Sequence, residues 1–437
     1  MNEQVLTILL FGSMLLVVFS GLPIAFSLGG IAVVFILFLE GPSFLTSIVM
    51  NTFGQSTNYL LVAIPLFVFM SSMLEKAGLA EDFFDAVQRW VGGLRGGLAI
   101  GTLLMSIALA AMVGISAAST AILGLVALPA MLKRGYDKKI ALGSIQAGGA
   151  LGILIPPSVL MIILALFGQL SIGELFIGGI IPGIILGALF ILYVLIRCIL
   201  QPHLGPSLPS DQRANWKQRF TSFRIMVFPI LLILAVMGTI FFGIATVTEA
   251  AGVGALGSII VASAYRRLTW YRIKEACYGT LKISCMIMWI VIGAKCFTSV
   301  YTLIGAQQLI SDALTAVPGG AWITVIAMEL ILIILGCFLD PGAITMITIP
   351  IFIPIVRTLG FDPLWFGILF VIIMEMGYLT PPFGMNLFVM KGVAPKDITM
   401  GDIYRSIIPF VGLQTLALII IMVFPALATW LPSLMID

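Results

Sequence analysis

Apolar runs of membrane-crossing length fill almost this entire chain, and that pattern constrains the fold more than any motif. A crossing helix needs about 20 mostly apolar residues, because the hydrocarbon core of a bilayer is roughly 30 Å thick. Ten stretches fit or nearly fit: 4–20, 23–40, 56–75, 139–169, 172–200, 224–243, 247–265, 279–303, 362–390 and 404–432. Two more, 97–132 and 320–357, are too long for one helix. They break in the middle, at Gly114-Ile115-Ser116-Ala117-Ala118 and at Leu339-Asp340-Pro341-Gly342. With 61% hydrophobic and 9% charged residues, the 437-residue chain cannot clothe a water-soluble fold. A soluble enzyme, a nucleic-acid binder and a disordered scaffold are thereby excluded. The fold class is an all-α polytopic membrane protein.

Cysteine and histidine add little. The five cysteines are unclustered and sit in or beside apolar runs, and the single His203 lies in a loop. Neither supplies a disulfide frame, a metal site or an acid–base pair. The apolar segment from Val5 to Ser20 lacks a basic flank and a cleavage signature, so it reads as a retained span.

The few charges define sidedness, since cytoplasmic loops collect Lys and Arg. The basic residues fall into five groups: Lys76–Arg95, Lys133–Lys139, Arg197–Arg224, Arg266–Lys282 and Lys391–Arg405. If the two broken stretches are re-entrant hairpins and the N-terminus is outside, all five groups face the cytoplasm, 20 of the 22 basic residues. Loops 41–55 and 304–319, assigned outside, contain none. The exceptions are Arg357 and Lys295, the latter inside a span. Segments 41–53 and 80–92 are amphipathic and are expected to lie in the interface.

A shift of 225 residues aligns 118–157 with 343–382 without a gap, with ten of 40 positions identical. The matches include Pro129/Pro354, Gly135/Gly360, Asp137/Asp362, Gly152/Gly377, Pro156/Pro381 and Pro157/Pro382. Apolar identities are cheap in such a composition, but three prolines and two glycines in register are not. Five crossings separate the hairpins in this topology, an odd number, so the repeats run in opposite senses. About ten crossing helices, two re-entrant hairpins and inverted repeats form an architecture of secondary transporters.

Non-helical backbone survives in a bilayer only where it lines a cavity or is buried in protein. The two tips and the proline-broken helices GGALGILIPPS (148–158) and MEMGYLTPPFG (374–384) supply such backbone. Carbonyls freed by proline, with the hydroxyls of Ser116, Ser119 and Thr380, suit a hard monovalent cation. A packing kink is the other reading of a Pro-Pro pair. Asp340 before Pro341 is a helix cap, a site carboxylate, or both. Ionisable groups inside the apolar stretches are Glu249, Lys295, Glu329, Asp340 and Glu375. Such groups are costly and mark function by default. Lys295, Asn386 and Glu375 are candidates for substrate contact, and Lys295 has the alternative of a structural pair with a carboxylate.

Several motifs resemble the large membrane subunit, DctM-like, of tripartite ATP-independent periplasmic (TRAP) transporters. They are AIPLFVFMSSMLEKAGL (63–79), GISAAST (114–120), GGALGILIPPS (148–158), TVTEAAGVGA (246–255) and GYLTPPFGMNLFV (377–389). The resemblance covers essentially the whole chain. It implies an elevator-type, sodium-driven importer of organic acids in a bacterial inner membrane, with sodium ions as the coupling ions and no other cofactor. It also implies a periplasmic substrate-binding protein and a small four-helix membrane subunit as partners. Carried over by position, the implied sodium ligands are Ser116, Ser119, Gly152 and Pro156 in one half. In the other they are Asp340, Gly377, Thr380 and Pro381. Two positions depart from the family pattern: paired serines at the first tip read Ile115-Ser116, and the usual TPTE reads Thr246-Val247-Thr248-Glu249.

The expected division is scaffold helices and arm at 1–95, then a first-repeat transport domain at 96–200 with tip 114–118 and broken helix 139–169. A cytoplasmic loop, scaffold helices and arm follow at 201–278, and a scaffold helix with Lys295 at 279–319. A second-repeat transport domain spans 320–437, with tip 339–343 and broken helix 362–390. Both termini are expected to be periplasmic. A stand-alone sodium/anion symporter is the nearest alternative function, ahead of a channel or an intramembrane enzyme, and the acidic residues leave proton coupling open.

Overall fold

The computed structural model describes residues 2–114, 116–209, 213–316 and 318–436, so Ile115 of the first tip lies outside the described residues. Every regular element described is helical. The chain opens with α1 (Glu3–Phe19), α2 (Ile24–Leu39), α3 (Leu45–Ser56), α4 (Ala63–Lys76) and α5 (Leu79–Val91). The first repeat follows as α6 (Gly97–Val113), α7 (Ser116–Lys133), α8 (Lys138–Ala150), α9 (Val159–Gly168) and α10 (Ile172–Leu200). Next come α11 (Trp216–Phe241), α12 (Val247–Ala264), α13 (Trp270–Leu303) and a short α14 (Ala306–Thr315), which falls in a segment read from sequence as a loop. The second repeat comprises α15 (Ala321–Gly336), α16 (Pro341–Thr358), α17 (Pro363–Leu379), α18 (Met385–Val393) and α19 (Met400–Val423), closed by α20 (Ala426–Thr429).

Local chemistry explains many of these boundaries. Asp137 and Asp362, identical in the repeat, are the N-caps of α8 and α17, each carboxylate accepting backbone N–H groups of the first turn. Helices α11, α12 and α19 begin with capping boxes, built by Asn215/Gln218, Thr246/Glu249 and Thr399/Asp402. The TVTE motif is therefore a helix start, and Glu249 is its capping carboxylate. It is exposed, and its carboxylate accepts from Thr246 N–H and hydroxyl at 2.8 Å.

Among the described residues, seven helices are long and apolar enough to cross a membrane unaided. They are α7, α10, α12, α13, α16, α19 and α4 extended by the turn before it (Tyr59–Lys76). The bent α11, whose parts meet at 44°, makes eight. The expected count of about ten is thus not met by unbroken helices. Helices α1 and α2 have 17 and 16 residues, and stretches 139–169 and 362–390 are each split in two at their Pro-Pro pairs. The stretch 404–432 also ends early, because α19 stops at Val423 before Pro425. The amphipathic segments 41–53 and 80–92 correspond to α3 and α5.

Helix α13 packs along α2, α3 and α4, and α12 lies on α4 and α11. The two repeats pack on each other: α8 against α19, α10 against α17, and α7 against α18. Small residues permit the closest approaches. A Cβ on Gly293 of α13 would lie 2.3 Å from the Ala25 carbonyl of α2, and one on Gly143 of α8 would lie 2.4 Å from the Phe410 ring of α19. Large apolar side chains such as Ile8, Leu16 and Phe38 point outward at 72%, 74% and 86% exposure, as a lipid-facing surface requires.

Arg267 belongs to a basic group used for sidedness, yet it has a structural task. Its guanidinium donates to the carbonyls of Ala77 at 3.1 Å and Gly78 at 2.7 Å, and pairs with Asp82 at 2.7 Å, clamping the turn between α4 and α5. Arg267→Gln is expected to cost about 1–3 kcal/mol, the range for hydrogen bonds to charged groups. It should lower the melting midpoint in detergent, with Arg267→Lys intermediate. A midpoint unchanged in Arg267→Gln would show the clamp to be idle.

Candidate functional site

Four interruptions of helix converge in the structure. Helix α6 ends at Gly114 with φ 62°, and α7 starts at Ser116. A Cβ at Gly114 would lie 2.5 Å from the Pro157 carbonyl oxygen, so this tip sits directly on the first Pro-Pro break. Only glycine offers both that φ and that clearance. Beyond the break, Ser158 is fully buried and its Oγ accepts from Met161 N at 3.4 Å, starting α9.

The second tip repeats the design with different atoms. Asp340 caps α16, its carboxylate accepting from Gly342 N at 2.9 Å, with Pro341 at the first helical position. Phe383 N, just after the second Pro-Pro pair, donates to the Cys337 carbonyl at 3.0 Å. A Cβ on Gly377 would lie 3.3 Å from the Gly336 Cα, so α15 and α17 meet backbone to backbone beside the tip. The Thr380 hydroxyl donates to Met376 O at 2.8 Å, which leaves its oxygen able to accept or coordinate.

Both tips border one cavity of about 110 Å³, open between the repeats and α13. Gly114, Asp340, Gly342 and Tyr378 contribute from the tips and the second broken helix, and Ile153 and Val159 from the first. Helix α13 closes it with Ile283, Met286, Ile287 and Ile290, a wholly apolar wall. Polar atoms therefore come from the repeats alone.

The sequence-derived candidates distribute as follows. Ser116, Ser119, Gly152 and Pro156 are buried around the first tip and break, one to five residues along the chain from the cavity lining. Asp340 lines the cavity, and Gly377 precedes its Tyr378. Thr380 is half-buried, and Pro381 and Pro382 are exposed where Pro156 and Pro157 are buried. Asn386 does not line the cavity. It is fully buried, its Nδ2 donating to Ser116 Oγ at 2.8 Å, with the hydroxyl directed to Oδ1 at 3.1 Å. Glu375 is also fully buried, on α17 beside Gln414 of α19, with neither carboxylate oxygen hydrogen-bonded. Lys295 is half-buried on α13, five residues past Ile290, or about 7.5 Å of helix.

Thr120 was missed from sequence. Its hydroxyl is buried without a hydrogen-bond partner in the first turns of α7, and a Cβ on Gly149 would touch it at 2.0 Å. Its repeat counterpart Thr345 donates to Pro341 O at 2.7 Å. The identity of Thr120 with Thr345 was the available signal. Orphaned buried oxygens are rare because they cost about 1–3 kcal/mol. With Ser116 and Ser119, Thr120 places three buried hydroxyl-bearing residues in the first turns of α7.

The Ser116–Asn386 pair joins the first tip to the helix after the second break. A double-mutant cycle with Ser116→Ala and Asn386→Ala should be non-additive by about 1 kcal/mol. The double variant should melt no lower than the worse single one, and strictly additive midpoint shifts would exclude the coupling.

Comparison with known proteins gives the lineage. A profile described as "Tripartite ATP-independent periplasmic transporter, DctM component" matches residues 11–427. The C4-dicarboxylate TRAP transporter large permease protein DctM of Vibrio cholerae is 33% identical, over 100% of this chain and 98% of its own. The isethionate TRAP transporter permease protein DctMQ of Oleidesulfovibrio alaskensis is 29% identical over 96% of this chain, which covers 65% of that longer protein. Among solved structures, Neisseria gonorrhoeae MtrF shares the fold at a TM-score of 0.64 and 15% identity, over 90% of this chain and 85% of MtrF. The chain belongs to the DctM family, the large permease subunits of tripartite ATP-independent periplasmic transporters.

Proposed function

We propose that this permease imports an organic acid anion, a C4-dicarboxylate or a similar solute, with sodium as the coupling ion and an elevator movement as the mechanism. The observation that carries the reading is the single cavity bordered by both tips, with polar groups on the repeats and an apolar wall on α13. An apolar wall makes no directional bonds, so the repeats can slide past it without breaking any. The moving body is 96–200 with 320–437, and the fixed frame is 1–95, 201–278 and 279–319. Contacts of α8 with α19 and of α7 with α18 support movement of the repeats as one piece.

Sodium is held at the two tips against the two Pro-Pro breaks, by Ser116, Ser119, Gly152 and Pro156 and by Asp340, Gly377, Thr380 and Pro381. Thr120 joins the first set. The repeats are inverted, the hairpins enter from opposite faces, and both termini face the periplasm of a bacterium whose inner membrane holds the protein. A periplasmic binding protein delivers the solute, and a small four-helix subunit completes the frame. The longer DctMQ relative, with chain to spare beyond this one, supports a second membrane component.

Proteoliposomes containing the permease and its small subunit should accumulate solute only with an inward sodium gradient and the binding protein together. Ser116→Ala and Thr380→Ala should each raise the sodium concentration for half-maximal uptake about tenfold, equivalent to about 1.4 kcal/mol. Unchanged sodium dependence in both variants would sink the ion assignment. Uptake that persists without the binding protein would favour a stand-alone symporter instead.

A further inference from the structure

Away from the tips, three cations from three helices line one open cavity of about 290 Å³. Lys139 comes from the start of α8, Arg197 from the end of α10 and Arg405 from the start of α19. All three are exposed, and among the described residues none has a carboxylate within 4 Å. Asp137 also lines the cavity, but its carboxylate is engaged by the backbone, accepting from Lys139 N at 2.9 Å and Ile140 N at 3.3 Å. The other nearby acids are occupied too. Asp397 pairs with Lys138 at 3.0 Å, and Asp402 caps α19 through Thr399 N at 2.9 Å. The Lys138 ammonium holds the Asp397 carboxyl below its usual range. The positive N-terminal ends of α8 and α19 add to the excess. In a chain with so few charges, three unpaired cations around one cavity repel each other unless an anion lies between them.

We propose that this cavity binds the phosphate of an anionic phospholipid headgroup. Arg197 and Arg405 present planar forks that match phosphate oxygens, Lys139 adds a point charge, and Tyr193 lies on the same rim. The source is a lipid because the cavity continues into an apolar surface. Leu192 and Ile196 on α10 and Ile408 on α19 are 51%, 46% and 66% exposed, and Ile408 itself lines the cavity. Acyl chains lying on these side chains place their headgroup among the cations. Basic pockets between membrane helices take headgroups in this way. A lipid held there bridges α8, α10 and α19, and so staples the two repeats together at one membrane face.

The test uses the delipidated, detergent-purified protein and reads binding, not uptake. Titrating phosphatidylglycerol should raise the melting midpoint, whereas phosphatidylcholine should not. The double variant Arg197→Gln/Arg405→Gln should keep the midpoint seen in phosphatidylcholine and need at least tenfold more phosphatidylglycerol for the same rise. Lys139→Gln alone should give a smaller loss, and it serves if the double variant fails to fold. A full phosphatidylglycerol response in the double variant or in Lys139→Gln overturns the site. An equal rise from inorganic phosphate alone overturns the lipid as its source.

Discussion

A polypeptide inside a bilayer must pair its own backbone N–H and C=O groups, and the architecture of this protein depends on how its broken helices meet that demand. Each interruption exposes groups that an intact helix would satisfy. Here local caps and one bond between a break and a tip meet part of that demand. Ser158 and Asp340 accept N–H groups through their side chains, and the Phe383 N–H reaches the Cys337 carbonyl of the tip beside it. Gly114 closes on the Pro157 carbonyl because it has no side chain to keep them apart. Tips and breaks are therefore packed as one unit bordering the cavity.

That unit is asymmetric where it matters for ligands. The first Pro-Pro pair is buried and the second exposed, so only the second break is open to its surroundings in this conformation. The first tip offers hydroxyls, one of them orphaned, and the second offers a carboxylate.

Much of this was legible in the sequence because membranes restrict the options. The repeat offset of 225 residues reappears in the helix starts, Ser116 against Pro341 for α7 and α16 and Lys138 against Pro363 for α8 and α17. Proline, glycine and capping aspartate act on the backbone locally, so their positions translate directly into breaks, turns and starts. Side-chain partnerships across the fold did not translate. Asn386 read as a loose polar candidate, and nothing local to it points 270 residues back to Ser116. The capping bond of Glu249 is by contrast local, its partner Thr246 only three residues away. The orphaned Thr120 hydroxyl is a statement about missing neighbours, which no local pattern encodes.

The Ser116–Asn386 bond also depends on how the two halves differ. Shifting by the repeat offset puts Pro341 where Ser116 stands, and an apolar residue, Leu160 or Met161, where Asn386 stands. A symmetric pair made from two copies of the first half would set serine against an aliphatic side chain. Two copies of the second would set asparagine against proline. Neither pairing could form the bond, so it depends on the difference between the halves. This contact between the halves is one that neither half could make with itself.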